Sequence, residues 1–195
     1  MGFSVKKLKE IADIRAGYPF REKIKEVEGG GVRVIQMRDA DPEDGVRWSG
    51  LIATDLPSKR PPDRLKLGDL LFVARGYRHF ALHLDEVPSP TVLSPHFFRL
   101  TVRENVGVLP GFLAWQMNQE PAQNYFRKSA EGTQVLNIRR QVLEDLPIVV
   151  PSLQKQETIS RLNTAWRREQ RVLKALADNR KRLLSALARQ VLGAD

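Results

Sequence analysis

The sequence predicts an α+β protein: a β-rich domain with flanking helices over residues 1–150, then a hinge and a long coiled-coil-like helix over residues 151–195. Three observations carry this. Short apolar runs separated by Gly and Pro crowd residues 32–102, the pattern of brief strands and turns. Helical pieces flank that region on both sides. From Gln154 onward there is no Pro, Gly occurs only at 193, and Ile159, Leu162, Trp166, Leu173, Leu176, Leu183 and Leu187 form a near-heptad seam interrupted at Glu169 and Arg180.

In chain order, Val5, Leu8, Ile11 and Ala12 share a helical face, so residues 5–14 predict a short docking helix that ends before Gly17 and Pro19. VRVIQM at 32–37 alternates as a strand, and RDADPEDG at 38–45 is an acidic turn. In LKLGDLLFVARG, Gly68-Asp69 marks a turn and LLFVA a short buried strand that opens into Arg75-Gly76-Tyr77-Arg78-His79. Further strands are expected at 80–85, 91–94 and 96–102. The stretch VLPGFLAWQMNQEPAQNYFRKSA predicts two helices broken near Pro121, with Leu113, Met117 and Trp115 supplying buried surface. A glycine loop at 131–138 returns the chain to Leu143, Leu146 and Ile148-Val149-Val150, which close the core before a hinge at Pro151. Ser152 is placed to cap the final helix, with Gln154, Gln156 and Glu157 setting the hinge geometry. That helix spans about 30 residues or more, roughly 45–50 Å, with too little neighbouring chain to cover it. Its apolar seam therefore predicts pairing with a helix of another chain, against the plainer possibility that it folds back on its own domain.

Composition bounds the function. The net charge is +9, from 32 Lys and Arg against 23 Asp and Glu, which suggests a polyanionic partner. Residues 155–195 hold ten Lys and Arg and four Asp and Glu, so the helix carries six of those nine charges and any reading of nucleic acid by the domain must come from local patches. There is no cysteine, which excludes disulfides, thiol catalysis and cysteine-bound zinc. His79 and His83 have an i,i+4 spacing but lack the intervening Glu of a zinc motif, and no metal or other cofactor is expected. The N-terminus lacks the apolar core of a signal peptide and no run reaches membrane-spanning length, so the expected location is cytoplasmic.

Catalytic motifs are missing. The glycine run in EGGGVRVI precedes a strand, whereas a nucleotide-binding glycine loop follows one. There is no Asn-Pro-Pro-aromatic motif, no phosphate loop and no glycine-flanked nucleophilic serine. Asp39, Asp41, Glu43 and Asp44 cluster, but inside a turn bounded by Pro and Gly, where a solvated loop is the simpler account than a magnesium site. No catalytic residue is assigned.

Four segments, in order, carry a family resemblance: KKLKEIADIRAGYPF, VRVIQMRDAD, LKLGDLLFVARG and EGTQVLNIRRQVLEDLPIVVPSLQKQETISRL. Together they resemble the specificity (S) subunit of type I restriction-modification systems, and more closely half of one, with a single target-recognition domain and one spacer helix. The resemblance implies a non-catalytic subunit that reads double-stranded DNA and directs an adenine methyltransferase subunit, with a restriction subunit as a further partner, in phage defence. With one domain and one helix, the chain is expected to homodimerise and read a split, two-fold symmetric site. The family's arrangement suggests antiparallel helices.

The expected DNA contacts are Arg75, Tyr77, Arg78 and His79 at the strand end, where Arg can meet guanine bidentately. A second patch is Thr133, Gln134 and Asn137, with Arg139 and Arg140 as phosphate contacts. Arg38, Arg47 and Arg60 are weaker candidates, and Trp48 more often caps a small core than meets a base. The helix interface is assigned to Ile159, Leu162, Trp166, Leu173, Leu176, Leu183 and Leu187. Two other classes stay open: an assembly or regulatory protein that pairs through its helix without reading sequence, and an RNA-binding protein using Tyr77, Trp48, Phe97 and Phe98 for stacking.

Overall fold

The computed structural model describes residues 3–56, 63–132 and 135–193. The chain divides into two compact units, Met1–Ser160 and Arg161–Asp195. The division falls inside the final helix, so the first two turns of that helix belong to the first unit.

The first unit opens differently from the helix expected at 5–14. Ser4–Lys7 is a strand (β1), Leu8–Ile11 a single helical turn (α1), and Ala12–Ala16 a second strand (β2). Tertiary pairing overrides local periodicity here. β1 pairs antiparallel with β11 (Pro147–Val150), Ser4 opposite Val150 and Lys7 opposite Pro147. Leu8 and Ile11 are buried as expected, but Val5 lies on the exposed face of this two-stranded ribbon. Lys7 and Lys9 both reach Asp145, at 2.9 and 3.0 Å, and hold the opening turn against the helix α4 (Arg140–Glu144).

The main sheet has four antiparallel strands in the order β2, β10 (Phe97–Val102), β7 (Leu70–Val73), β8 (Ala81–His83). The unbroken apolar run of β7 reflects burial on both faces. Leu70 and Phe72 face one core, with Leu8, Phe112, Leu113, Met117, Phe126, Leu143 and Ile148. That core is roofed by α2 (Pro110–Met117) and α3 (Glu120–Ser129), the two helices expected from a break near Pro121, which falls in the first turn of α3. Leu71 and Val73 face a second core, with Ile35, Leu82, Leu93 and Phe97. It separates the main sheet from a three-stranded sheet ordered β6 (Ile52–Thr54), β3 (Val32–Ile35), β9 (Thr91–Leu93). In that sheet β3 and β9 run parallel. β4 (Ala40–Asp41) and β5 (Gly45–Val46) form a small hairpin across the acidic turn.

Gly17 joins the sheets. Its amide donates to Phe97 O at 2.9 Å and that of Tyr18 to Leu93 O at 2.7 Å. A Cβ at residue 17 would lie 2.0 Å from Ser94 O, so only glycine allows this approach. Side-chain amides close open backbone elsewhere. Asn118 both accepts from Ala81 N and donates to Ala81 O, each at 2.8 Å, completing the edge of β8. Gln116 does the same for Val149, at 3.0 Å in each direction.

The final helix, α5, runs from Leu153 to Leu192. Ser152 meets its first turn through the main chain, its carbonyl accepting from Lys155 N and Gln156 N. Gln156 is fully buried. Its Oε1 accepts from Leu109 N at 2.9 Å, and its Nε2 donates to Gly107 O at 2.8 Å and Pro151 O at 2.9 Å. Thus the expected hinge role falls on Gln156 among the three polar residues singled out, while Gln154 and Glu157 stay exposed. No described helix is long and apolar enough to cross a membrane.

Candidate nucleic-acid interface

β7 ends at Val73, and the next residues leave the sheet to meet the returning segment at 136–138. Gly76 N donates to Leu136 O at 2.9 Å and Ile138 N donates to Ala74 O at 2.8 Å. Arg75 and Asn137 face each other in an isolated antiparallel bridge, and Asn137 bridges in turn to Glu131. The two patches read separately from the sequence are therefore one hydrogen-bonded rim. Ile138, fully buried, pins the rim to the first core.

Arg75, Tyr77, Arg78 and Asn137 are exposed on this rim, Tyr77 to 83%. His79, expected beside them, is only 7% exposed and turns inward. Its Nδ1 donates to Val73 O at 3.1 Å, the geometry that tightens the strand end, and the ring lies near Phe72. Burial pushes its pKa down, only partly offset by that hydrogen bond. It supports the rim from below and is withdrawn from any surface contact.

Further residues gather here. Gly76 has φ +138°, and a Cβ there would lie 2.7 Å from Met37 Cε, so Met37 covers the glycine. β3 stops at Ile35 and Met37–Asp39 forms a single 3-10 turn, where the sequence suggested strand to residue 37. Buried Asp39 fixes that turn by accepting from Gln36 N at 2.9 Å. Asp39 O accepts from Arg47 N at 2.8 Å, which places exposed Arg38 and Arg47 on neighbouring backbone. Trp48 packs partly buried on the second core. His96 is half-buried; burial and then the charge of Arg75 lower its pKa, and its carbonyl accepts from Ala74 N at 3.0 Å. Met37 and His96 were not among the sequence candidates. Nothing in their local pattern marks them, because a glycine with a side chain laid over it becomes visible only in three dimensions.

Arg139 pairs with Glu131, and Arg140 with Glu144 at 2.7 Å. These exposed pairs contribute little stability and are easily exchanged for another anion. Among the described residues, Arg47, Arg75 and Arg78 have no ion-pair partner within 4.0 Å. Arg60, Thr133 and Gln134 lie outside the described residues. Within the acidic turn, Asp41 Oδ1 caps the backbone, accepting from Glu43 N and Asp44 N at 2.8 and 2.9 Å. Among the described residues no three His, Asp or Glu side chains group as metal ligands. The rim can thus offer guanidinium, phenol and amide donors to a polyanion.

On the helix, Leu162, Trp166, Leu173, Leu176, Leu183 and Leu187 are all exposed. Ile159 differs, packing partly buried against the first core of its own domain.

No protein-family model matches the sequence, and no curated protein matches it. Solved structures do match its fold, which is that of type I restriction-modification S subunits. The S subunit of the type I system from M. genitalium superposes with a TM-score of 0.62 at 14% identity, covering 100% of this chain and 46% of its own. The HsdS subunit from Thermoanaerobacter tengcongensis gives 0.57 at 17% identity, with 97% of this chain and 40% of its own covered. A chain from a study of type I restriction-modification complex assembly and conformational transition gives 0.63 at 18%, covering 98% and 45%. The chain spans less than half the length of each.

Proposed function

We propose that this chain is the sequence-reading subunit of a type I restriction-modification assembly, without a catalytic centre of its own. It reads duplex DNA, works in the cytoplasm, and directs a partner adenine methyltransferase subunit to one half of a split site; a restriction subunit joins the same assembly. Two copies, paired through α5, read a two-fold symmetric target. The observation that carries this reading is the exposed rim of Arg75, Tyr77, Arg78 and Asn137, flanked by Arg38 and Arg47, on a chain whose whole length follows the S-subunit fold. Arginine at the end of a strand suits guanine edges, and the outlying Arg139 and Arg140 suit phosphates.

The test is selection of duplexes from a random library by the purified protein, alone and mixed with a methyltransferase subunit, at two salt concentrations. Enrichment of a split symmetric motif, weakened by salt, is the expected result. If no sequence is enriched while a stable dimer or complex still forms, the chain assembles without reading. Preference for single-stranded RNA over duplex would replace the proposal with RNA binding.

A further inference from the structure

The α5 seam is interrupted by two charges, Glu169 and Arg180, and neither has a partner within reach on its own helix. Neighbours on a helical face lie three and four positions away. For Glu169 these are Ala165, Trp166, Val172 and Leu173; for Arg180 they are Leu176, Ala177, Leu183 and Leu184. No described ion pair involves either residue. Each is an exposed charge on a stripe of exposed apolar side chains.

We propose that Glu169 and Arg180 fix the register and direction in which α5 pairs with a second copy of itself, each meeting the other across an antiparallel interface. The proposal rests on the self-pairing read above and adds the residues that decide its geometry. In an antiparallel pair the two kinds of seam position face one another. Aligning Glu169 with the partner copy's residue 180 puts Leu173 against residue 176, Trp166 against residue 183 and Leu162 against residue 187. Every apolar seam residue from 162 to 187 then meets an apolar residue, and both charges are matched twice by symmetry. A shift of one heptad either way sets Glu169 against leucine 173 or 187 and Arg180 against leucine 162 or 176. A parallel pair in register stacks Glu169 on Glu169 and Arg180 on Arg180. One antiparallel register satisfies all the seam residues, and its competitors strand a charge or oppose like charges.

The protein has no cysteine, so introduced thiols report geometry without background. The experiment uses the full chain. Sedimentation equilibrium measures self-association of wild type, Glu169→Arg, Arg180→Glu and the double exchange. Each single exchange is expected to raise the dimer dissociation constant at least about tenfold, since it opposes like charges at two places in the dimer. The double exchange restores it. In parallel, Leu162→Cys and Leu187→Cys proteins are oxidised separately and mixed. A disulfide forming only in the mixture is expected, because residue 162 and its own counterpart would stand about 38 Å apart along the paired helices. If Leu162→Cys cross-links to itself, or if the single exchanges leave association unchanged, the register is overturned while self-pairing stands. If wild type stays monomeric at every concentration, self-pairing and this proposal fall together.

Discussion

Replacing Gln156 with Ala tests whether the hinge is held by one side chain. The amide is fully buried and makes three hydrogen bonds, to Leu109 N, Gly107 O and Pro151 O. At about 1 kcal/mol per bond, their loss removes about 3 kcal/mol, and main-chain groups left buried without partners add to it. With a urea slope of about 2 kcal/mol/M, the unfolding midpoint should fall by about 1.5 M. Urea titrations followed by tryptophan fluorescence and far-UV circular dichroism measure it. Gln154→Ala is the control: that residue is exposed two positions away, and its replacement should stay within about 0.5 kcal/mol. A Gln156→Ala protein within about 0.5 kcal/mol of wild type would refute the reasoning, because the three bonds would then be replaced at no cost.

Other perturbations probe the core, the joint, acid sensitivity and the rim. Phe126→Ala empties a fully buried position 4.9 Å from Phe72 and should cost about 3–5 kcal/mol in the same titration. Gly17→Ala forces a Cβ onto Ser94 O and should separate the two sheets, read as faster hydrogen exchange at the Gly17 and Tyr18 amides. His79 has its pKa lowered by burial, so below about 6.5 the unfolded chain takes up a proton that the folded chain resists. Stability from this residue is present at neutral pH and lost as pH falls toward the depressed folded value; His79→Phe should therefore flatten the pH dependence of the urea midpoint. Arg75→Ala and Arg78→Ala should weaken binding to a selected duplex; a residue that meets phosphate lowers the salt slope by about 0.9, whereas one that reads a base relaxes preference at one position.

Where periodicity and burial agree, the fold was legible in the sequence. LLFV at 70–73 is a central strand because its side chains alternate between cores on both faces. The breaks at Pro121 and Pro151 and the Pro-free run that follows mark α3, the hinge and α5. Residues 4–16 misled because β1 borrows its hydrogen bonds from β11, about 140 residues away, and local spacing contains no trace of that debt. The rim was half legible. Arg75, Tyr77 and Arg78 followed from a strand opening into glycine, but the inward turn of His79 depends on Val73 O and Phe72, and the union of Arg75 with Asn137 on a long-range bridge. Met37 and Gln156 gain their roles from what lies across from them, which a one-dimensional pattern does not record.

The β1–β11 ribbon means that the chain enters and leaves most of the domain side by side, Lys7 opposite Pro147. Everything between those two residues is a closed excursion. At the level of the gene, two crossovers within the short stretches encoding the ribbon would exchange the entire intervening fold, rim included, and leave α5 and its seam untouched. On the proposed reading, such an arrangement would let the rim diverge while the α5 seam is inherited unchanged.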